Sequence, residues 1–255
     1  MMKFEKYIPS THLRPYIKYF VVSENTAENE YKVFPPSGLV AGFQFKGHLT
    51  SITGNSEQNL ASAGVTGISD RYKIFKNSHA TGSVLVYFTE TGFVHFVSHP
   101  VNELFNLSIS LDNIFNKEAV RETEEKLALV TTDAERIKIV EQLLLSQLKS
   151  IQVDKLIVNA VKLIFENKGS IRIRTLNEKL DLSPSAFEKR FRKVVGTTPK
   201  KFASIIRFNC VLNNLQKTTS LIDICYENNF FDQAHFIKDF KQFTGDTPEN
   251  FKRFL

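Results

Sequence analysis

Two stretches near the C-terminal end of the chain decide its fold. Residues 183–202 read SPSAFEKRFRKVVGTTPKKF, and residues 232–251 read DQAHFIKDFKQFTGDTPENF. Six positions of the first stretch recur 49 residues later in the second: Ser183 with Asp232, Phe187 with Phe236, Phe191 with Phe240, Gly196 with Gly245, Pro199 with Pro248 and Phe202 with Phe251. Two further pairs, offset by 48 residues, lie upstream: Leu176 with Ile224 and Leu182 with Phe230. A repeat of this period indicates two copies of one supersecondary unit.

Each copy is predicted to form a short helix, a tight turn and a second helix that carries basic residues. In the first copy, Ser183 is a suitable N-cap for the second helix, Pro184 suits its first position, and Gly196 ends it. The predicted elements are helices over residues 175–180, 184–195, 199–217, 221–228 and 232–243, turns at Asp181-Leu182 and Asn229-Phe230, and a short helix from Pro248. This order is that of a helix-turn-helix, and two such units in tandem indicate DNA binding.

The charge of the chain is unevenly distributed. Residues 155–255 hold 18 Lys and Arg against 10 Asp and Glu, a net charge of +8, whereas residues 1–154 hold 15 against 17, a net charge of −2. A basic part beside a nearly neutral part is typical of a nucleic-acid-binding module attached to a second domain.

The length and composition favour a folded protein of two domains. The chain has 255 residues, of which 42% are apolar, so it can build cores of its own. It contains no run of about 18 apolar residues and no apolar signal sequence at its start, so no membrane span is expected. The two cysteines, Cys210 and Cys225, lie in apolar helical patterns, which favours buried thiols in a cytoplasmic protein over a disulfide.

Residues 1 to about 100 are predicted to be mostly β. Short segments rich in Val, Phe and Tyr predict strands over residues 16–23, 39–45, 63–68, 84–89 and 93–98. Turn residues separate them, and Glu90-Thr91-Gly92 predicts a hairpin loop between the last two. Short strands of this kind indicate a sandwich or a barrel. Seven aromatic residues would line either its core or an apolar ligand pocket: Phe43, Phe45, Phe75, Tyr87, Phe88, Phe93 and Phe96.

From Pro100 the pattern becomes helical. Pro100 suits the first turn of a helix, and Asp133 opens a longer one. The apolar stripe of that longer helix consists of Ile137, Val140, Leu143, Leu144 and Leu148. The helix either packs on the N-terminal domain or serves dimerisation or domain contact. A further helix ends near Gly169, with an apolar face of Leu156, Val158, Val161, Ile164 and Phe165.

Residues 152–255 resemble the DNA-binding domain of the AraC/XylS family of bacterial transcription regulators. The stretch ICYENNFFDQAHF at residues 224–236, continued by Phe240-Lys241 and by GDTP at 245–248, is similar to the family signature. The first copy also fits, through FRK at 191–193, GTTP at 196–199 and residues 202–208. Asn229 and Cys225 stand where the family has glycine and alanine; both substitutions suit the backbone and the space.

The N-terminal part is similar, more weakly, to the β-rich sensor domains of the same family, through FPPSG at residues 34–38 and the apolar strand after it. The resemblance implies an α+β protein. Residues 1–151 would form a cupin-like barrel or sandwich with flanking helices, and residues 152–255 an all-α domain of about seven helices. Such an N-terminal domain binds an effector or dimerises, and we expect a small apolar or aromatic effector.

In each unit the second helix is expected to enter the major groove of DNA. Phenylalanines spaced four apart belong to the core. This leaves outward Ser185, Ala186, Glu188, Lys189 and Arg192 in the first helix, and Gln233, Ala234, His235, Ile237, Lys238 and Lys241 in the second. The helix between the units, about 27 Å long at 1.5 Å per residue, can hold them against successive major grooves. Arg207, within that helix, is assigned a structural role.

The resemblance places base contacts at Ser185, Glu188, Lys189, Gln233, Ala234 and Lys238. The chemistry agrees, because glutamine pairs with adenine, lysine with guanine and glutamate with cytosine. Contacts with phosphate are expected from Arg192, Lys193 and Lys241. For each residue the alternative is a helix face that is merely solvated.

Two other classes of protein fit the sequence less well. A cupin-type metalloenzyme needs clustered histidines and carboxylates, but His95 and His99 would lie about 13 Å apart on the predicted strand. The chain has no nucleotide-binding or nucleophile motif, so neither catalysis nor a metal or other cofactor is expected. The net charge of +8 on residues 155–255 argues against a sensor or interaction protein without DNA binding, because the loss of DNA binding should relax that bias.

The prediction is therefore a sequence-specific transcription regulator, with activation as the family's common mode. Its expected partner is double-stranded DNA. RNA polymerase, a small effector and a second copy of the chain are candidate partners, and no membrane is expected.

Overall fold

A computed structural model describes residues 2–215, residue 225 and residues 233–253 of the chain. Strands dominate up to residue 110, and α-helices make up most of the rest. The α+β class predicted from the sequence is therefore confirmed. The helix predicted over residues 221–228, apart from the buried and helical Cys225, and the turn at Asn229-Phe230 lie outside the described residues.

Ten strands in the described residues form two antiparallel sheets. They are β1 Met2–Tyr7, β2 Ile17–Asn25, β3 Asn29–Val33, β4 Val40–Lys46, β5 Leu49–Thr53, β6 Ser56–Asn59, β7 Ala63–Thr66, β8 Lys73–Asn77, β9 Thr81–Phe88 and β10 Ser108–Ser110. The first sheet has the order β1-β2-β9-β4-β7-β10, and the second has the order β3-β8-β5-β6. Four of the five predicted strand segments coincide with β2, β4, β7 and β9.

The two faces of the first sheet are different. Phe20, Val22, Val84 and Val86 alternate along the paired strands β2 and β9, and all four are fully buried in the main core. Tyr19 and Tyr87 occupy the intervening positions and therefore point to the opposite face, towards the second sheet.

The prediction of a strand over residues 93–98, and of a hairpin leading into it, is wrong. Phe93–Phe96 form a single 3-10 turn. The rings of Phe93 and Phe96 both pack against Phe88, at centroid distances of 5.0 and 5.4 Å. A spacing of three brings both rings to one side of a helical turn, whereas a strand would send them to opposite faces.

Two helices complete the N-terminal domain, α1 Lys117–Leu129 and α2 Asp133–Gln147. The segment after Pro100 is less helical than predicted, because it contains 3-10 turns at Val101–Leu104 and Leu111–Asn113 with β10 between them. α2 begins as predicted, with a capping box between Thr132 and Glu135. Its buried residues are Ile137, Val140, Leu143 and Leu144. Since α2 contacts α1 and β9, the helix packs on its own domain.

Six described helices follow. They are α3 Lys155–Glu166, α4 Ile173–Leu180, α5 Pro184–Val195, α6 Pro199–Leu215, α7 Gln233–Thr244 and α8 Pro248–Lys252. The buried stripe of α3 is Ile157, Ala160, Val161 and Ile164, which follows the spacing of one helix face. Val158 and Phe165 were assigned to that face, but they lie on its flanks and are 39% and 41% exposed.

The repeated phenylalanines form the cores of two equivalent units. In the first, the ring of Phe191 lies 5.6 Å from those of both Phe187 and Phe202. In the second, the ring of Phe240 lies 5.9 Å from that of Phe236 and 5.3 Å from that of Phe251. The sequence repeat therefore corresponds to a repeat of packing.

The N-terminal domain contacts α6 and the second unit through an aromatic side chain and several polar groups. The ring of Phe34 lies 6.1 Å from Phe208 and 5.5 Å from Phe251. Lys32 Nζ donates to the carbonyl oxygen of Thr244 at 3.1 Å. Asp70 accepts from Lys201 Nζ through its carboxylate at 3.3 Å and from Gln242 Nε2 through its carbonyl oxygen at 3.1 Å.

Gly169 provides a test of the packing between α3 and α6. Its φ is +73°, and a Cβ atom there would lie 2.2 Å from the carbonyl oxygen of Ala203 and 2.8 Å from the backbone nitrogen of Arg207. Gly54 also has a positive φ, +59°, but a Cβ atom there would meet nothing within 4 Å. We expect Gly54→Ala to lower the free energy of unfolding by about 1 kcal/mol, the cost of left-handed backbone.

Gly169→Ala should cost about 3 kcal/mol or more, because steric overlap adds to the same backbone cost. Urea denaturation of the two variants measures both values. Equal losses would show that α3 and α6 are not packed as described.

Candidate nucleic-acid interface

The first unit is shaped by two local signals in the sequence. α4 ends at Asp181, whose φ of 51° is left-handed. Ser183 then caps α5 by accepting a hydrogen bond from the backbone N–H of Ala186, and Pro184 occupies the first turn. The tight turn and the start of the second helix are as predicted.

One face of α5 is buried and the other is open to water. Phe187, Phe191 and Val195 are buried. The predicted DNA-contacting residues of this helix are all exposed: Ser185, Glu188, Lys189, Arg192 and Lys193. The first four follow the spacing of one helix face, and they line a surface concavity of about 530 Å³ together with Pro184 and Asn102.

α7 has the same division. Phe236 and Phe240 are buried, while Gln233, Ala234, Lys238 and Lys241 are exposed. A concavity of about 550 Å³ lies along this helix, lined by Ala234, Ile237, Lys238, Lys241 and Gln242. The structure thus brings the predicted residues of each unit onto one exposed face, with one further hydrophobic side chain, Ile237, among them.

α6 joins the two units. It has 17 residues, so its length is about 26 Å at 1.5 Å per residue. Arg207 is directed inward, where its Nη2 donates to the carbonyl oxygen of Gly169 at 3.3 Å. Burial lowers the pKa of the Arg207 guanidinium. This contact agrees with the structural role assigned to Arg207.

A bidentate ion pair holds α5 against α3. Arg190 donates from Nε to Asp154 Oδ2 at 2.9 Å and from Nη2 to Asp154 Oδ1 at 2.7 Å. Asp154 also caps α3 through the backbone N–H of Ile157. Burial acts to raise the pKa of Asp154, but its hydrogen bonds with Arg190 and Ile157 and the positive charge of Arg190 hold that pKa below its usual value. The pair was not predicted from the sequence, because it links residues 36 positions apart.

A row of side chains crosses the first sheet on the face that meets the second sheet. Ser108 pairs with Thr66, Thr66 with Val40, Val40 with Tyr87, and Tyr87 with Tyr19. The rings of Tyr19 and Tyr87 lie 4.7 Å apart. Burial, followed by the influence of Tyr19 and Tyr31, raises the pKa of Tyr87 to about 12. Tyr31 belongs to β3, so a residue of the second sheet lies near enough to this end of the row to influence Tyr87.

Lys73, on β8, occupies the other end of the row. Its Nζ donates to Ser108 Oγ at 2.9 Å and to the carbonyl oxygen of Asn106 at 3.2 Å. Burial lowers the pKa of Lys73 to about 8. No ion pair of Lys73 with a carboxylate occurs within the described ranges. Neither β8 nor the position of Lys73 was predicted from the sequence, although the burial of Phe75 and Asn77 follows the alternation of a strand.

The structure gives no metal site among the residues that it describes, since no group of three or more His, Cys, Asp or Glu is placed to hold an ion. His95 is buried against Tyr16, at a ring distance of 4.7 Å, in the 3-10 turn rather than on a strand. Cys210 and Cys225 are both free thiols. No described helix is long and apolar enough to cross a bilayer.

Comparison with known proteins agrees with this architecture. Residues 176–253 match a helix-turn-helix domain family, and residues 5–110 match a domain of unknown function (DUF6597). No curated protein matches the sequence significantly. ToxT from Vibrio cholerae O395, bound to (E)-4-(8-methylnaphthalen-1-yl)but-3-enoic acid, is 11% identical and has a TM-score of 0.50, over 91% of this chain and 97% of that chain.

Two other solved structures are similar to a lesser degree. ToxT from Vibrio cholerae strain SCE256 with a bound unsaturated fatty acid is 12% identical, with a TM-score of 0.47 over 92% of this chain and 95% of that chain. The AraC-like transcriptional activator CuxR is 12% identical, with a TM-score of 0.28 over 76% of each chain.

The tandem units and their exposed basic helices define a helix-turn-helix DNA-binding regulator with a β-rich domain in front of it. The matched helix-turn-helix domain lies within the part of the chain whose sequence resembles the AraC/XylS family.

The ion pair of Asp154 can be separated from its capping role by two substitutions. Asp154→Asn keeps a good N-cap but removes the ion pair, and we expect a loss of about 1 kcal/mol at pH 7 because both groups are partly exposed. Asp154→Ala also removes the cap, which should cost about 1 kcal/mol more.

The contribution of the pair should depend on pH. Since the folded pKa of Asp154 is depressed, its stabilisation is fully present above the unfolded pKa of about 3.9 and is lost as pH falls through the folded value. Urea denaturation of wild type and Asp154→Asn at pH 7 and below pH 4 should show the gap closing. A gap that does not change with pH would contradict the ion pair.

Proposed function

We propose that α5 and α7 are recognition helices that enter successive major grooves, so that one chain reads two adjacent half-sites of DNA. The observation that carries this proposal is that both helices have the same division into a buried face and an exposed face. Each exposed face lies opposite a pair of buried phenylalanines and presents basic side chains beside a surface concavity. The DNA-binding part is assigned to residues 152–255 and the regulatory part to residues 1–151.

The roles of individual residues follow from their chemistry. Base edges are assigned to Ser185, Glu188, Lys189, Gln233, Ala234 and Lys238. Phosphate contacts are assigned to Arg192, Lys193 and Lys241, which are all exposed. We call the exposed faces of the two helices the reading faces: Ser185, Glu188, Lys189 and Arg192 on α5, and Ala234, Ile237, Lys238 and Lys241 on α7. Glu188 Oε1 lies 3.8 Å from Arg192 Nη1. This arginine offsets the negative charge of Glu188, so that the carboxylate can approach the DNA.

The geometry of α6 bears on the shape of the DNA. Successive major grooves on one side of straight DNA lie about 34 Å apart. If the recognition helices are held closer together than that by α6, the DNA must bend towards the protein. Activation through contact with RNA polymerase is proposed on the family resemblance. A homodimer would need a surface other than the stripe of α2, which is buried in its own domain.

The decisive test is a footprint on the DNA upstream of the gene, over a series of salt concentrations. Lys189→Ala and Lys238→Ala are each expected to cost about 1–3 kcal/mol of binding, and each should abolish protection in its own half-site first. Lys162→Ala is the matched control, because Lys162 is an exposed lysine on α3, outside both proposed recognition helices. Protection that persists in both lysine variants would refute the two-helix proposal and favour a sensor without DNA binding.

We further propose that the N-terminal domain binds a small elongated effector between its two sheets. The row from Ser108 to Tyr87 spans three strand spacings, or about 14 Å. It offers the ammonium group of Lys73 at one end, Val40 in the middle and the rings of Tyr19 and Tyr87 at the other. An acid with an apolar or aromatic body matches that order, because its carboxylate would meet Lys73 and its body would lie along Val40 and the tyrosine rings.

Thermal unfolding with added ligand tests the effector proposal. The probe is (E)-4-(8-methylnaphthalen-1-yl)but-3-enoic acid, with its uncharged methyl ester as the control. The acid should raise the Tm of wild type, and Lys73→Met should remove most of that rise while keeping the length of the side chain. An equal rise for acid and ester, or in the Lys73→Met variant, would exclude Lys73 as the site of the anion. If a wider panel of apolar acids also leaves the Tm unchanged, the effector proposal fails.

A further inference from the structure

A segment of the N-terminal domain lies directly beside the reading face of α5. The 3-10 turns Phe93–Phe96 and Val101–Leu104 both pack against this helix. Val101 is only 1% exposed, and its Cγ1 would lie 3.0 Å from a Cβ atom added to Gly196, the residue that ends α5. The position of the segment relative to α5 is therefore set by close packing rather than by a flexible contact.

Asn102, the residue after Val101, points to the open side of this contact. It lines the same concavity as Ser185, Glu188, Lys189 and Arg192 on α5. Its backbone oxygen accepts from the N–H of Phe105, but its side-chain amide has no hydrogen-bond partner within the described residues. The half-buried amide of Asn102 thus lies at the edge of the face of α5 that is proposed to contact DNA.

The dimensions of DNA determine what such a group would meet. The major groove is about 12 Å wide, and a helix with its side chains is about 10–12 Å across. A helix in the groove fills it, so the two phosphate backbones run along the flanks of the helix. A group fixed beside the reading face of α5 then lies against one of these backbones.

We propose that the side-chain amide of Asn102 donates to a DNA phosphate beside the groove that α5 enters, so that the N-terminal domain forms part of the DNA interface. This inference rests on the proposed insertion of α5 into the groove. It has a consequence for regulation, because a shift of the N-terminal domain would move Asn102 relative to α5. The affinity of the first half-site would then depend on domain orientation, whereas that of the second would not depend on this contact.

Substitutions of opposite charge at Asn102 test the proposal on the full chain with a duplex that carries the footprinted site. Asn102→Arg should tighten binding several-fold and steepen the slope of log K against log salt by about 0.9, as expected for one added phosphate contact. Asn102→Asp should weaken binding by at least the same factor, and Asn102→Ala by about threefold to tenfold. In hydroxyl-radical footprints, Asn102→Arg should extend protection at the flank of the first half-site only.

The matched controls are Asn113→Arg and Asn113→Asp. Asn113 is an exposed asparagine of the same domain, in the 3-10 turn that packs on α1 and β7. These controls remove the general effect of net charge on DNA affinity. The DNA affinity of the two Asn113 variants gives the change expected from charge alone. Thermal melts of all variants check that each is folded.

The outcomes separate the two proposals. If Lys189→Ala leaves binding unchanged, the proposed role of α5 itself fails. If Lys189→Ala weakens binding but the Asn102 variants behave like the Asn113 variants, the DNA contact of Asn102 is refuted while the function stands. If Asn102→Arg weakens binding, the segment obstructs the DNA instead of contacting it, and the proposal is overturned as well.

Discussion

The burial of two phenylalanines four positions apart is the constraint on which each helix-turn-helix unit depends. Phe187 and Phe191 bury one face of α5, and Phe236 and Phe240 bury one face of α7. Because a helix turns once every 3.6 residues, fixing these rings in the core also fixes which residues face water. The orientation of the exposed faces is therefore fixed by the core, the helix caps and the ion pair between Asp154 and Arg190.

The elements that could be predicted from the sequence are those with strong local signals. Proline, glycine and phenylalanine at fixed spacings predicted both units, and runs of Val and Phe predicted the buried strands. β3 escaped prediction because all five of its residues are exposed, so it has no alternation of burial to show. The turn at Phe93–Phe96 was mistaken for a strand because apolar residues close together fit either structure until their partner, Phe88, is known.

The candidate sites divide in the same way. The exposed residues of α5 and α7 could be assigned because helical periodicity separates them from the core. The other candidate residues could not be assigned from the sequence: Asn102, Lys73 and the pair between Asp154 and Arg190. The role of each depends on a contact with a residue that is distant in the chain. Lys73 meets Ser108 across the gap between two sheets, and Asn102 meets α5 across the boundary between two domains. Contacts of this kind follow from tertiary packing, which no local pattern records.

The two units share a core but not a surface. At equivalent positions, Ser185 corresponds to Ala234, Glu188 to Ile237 and Arg192 to Lys241, so three of the four exposed positions on the reading face differ in side chain. If both helices read DNA as proposed, the chain cannot bind its site equally well in both directions, because the two faces differ. The bound protein would then have one fixed orientation along the double helix. A single molecule could in this way define the direction of a promoter, without a palindromic site or a second subunit.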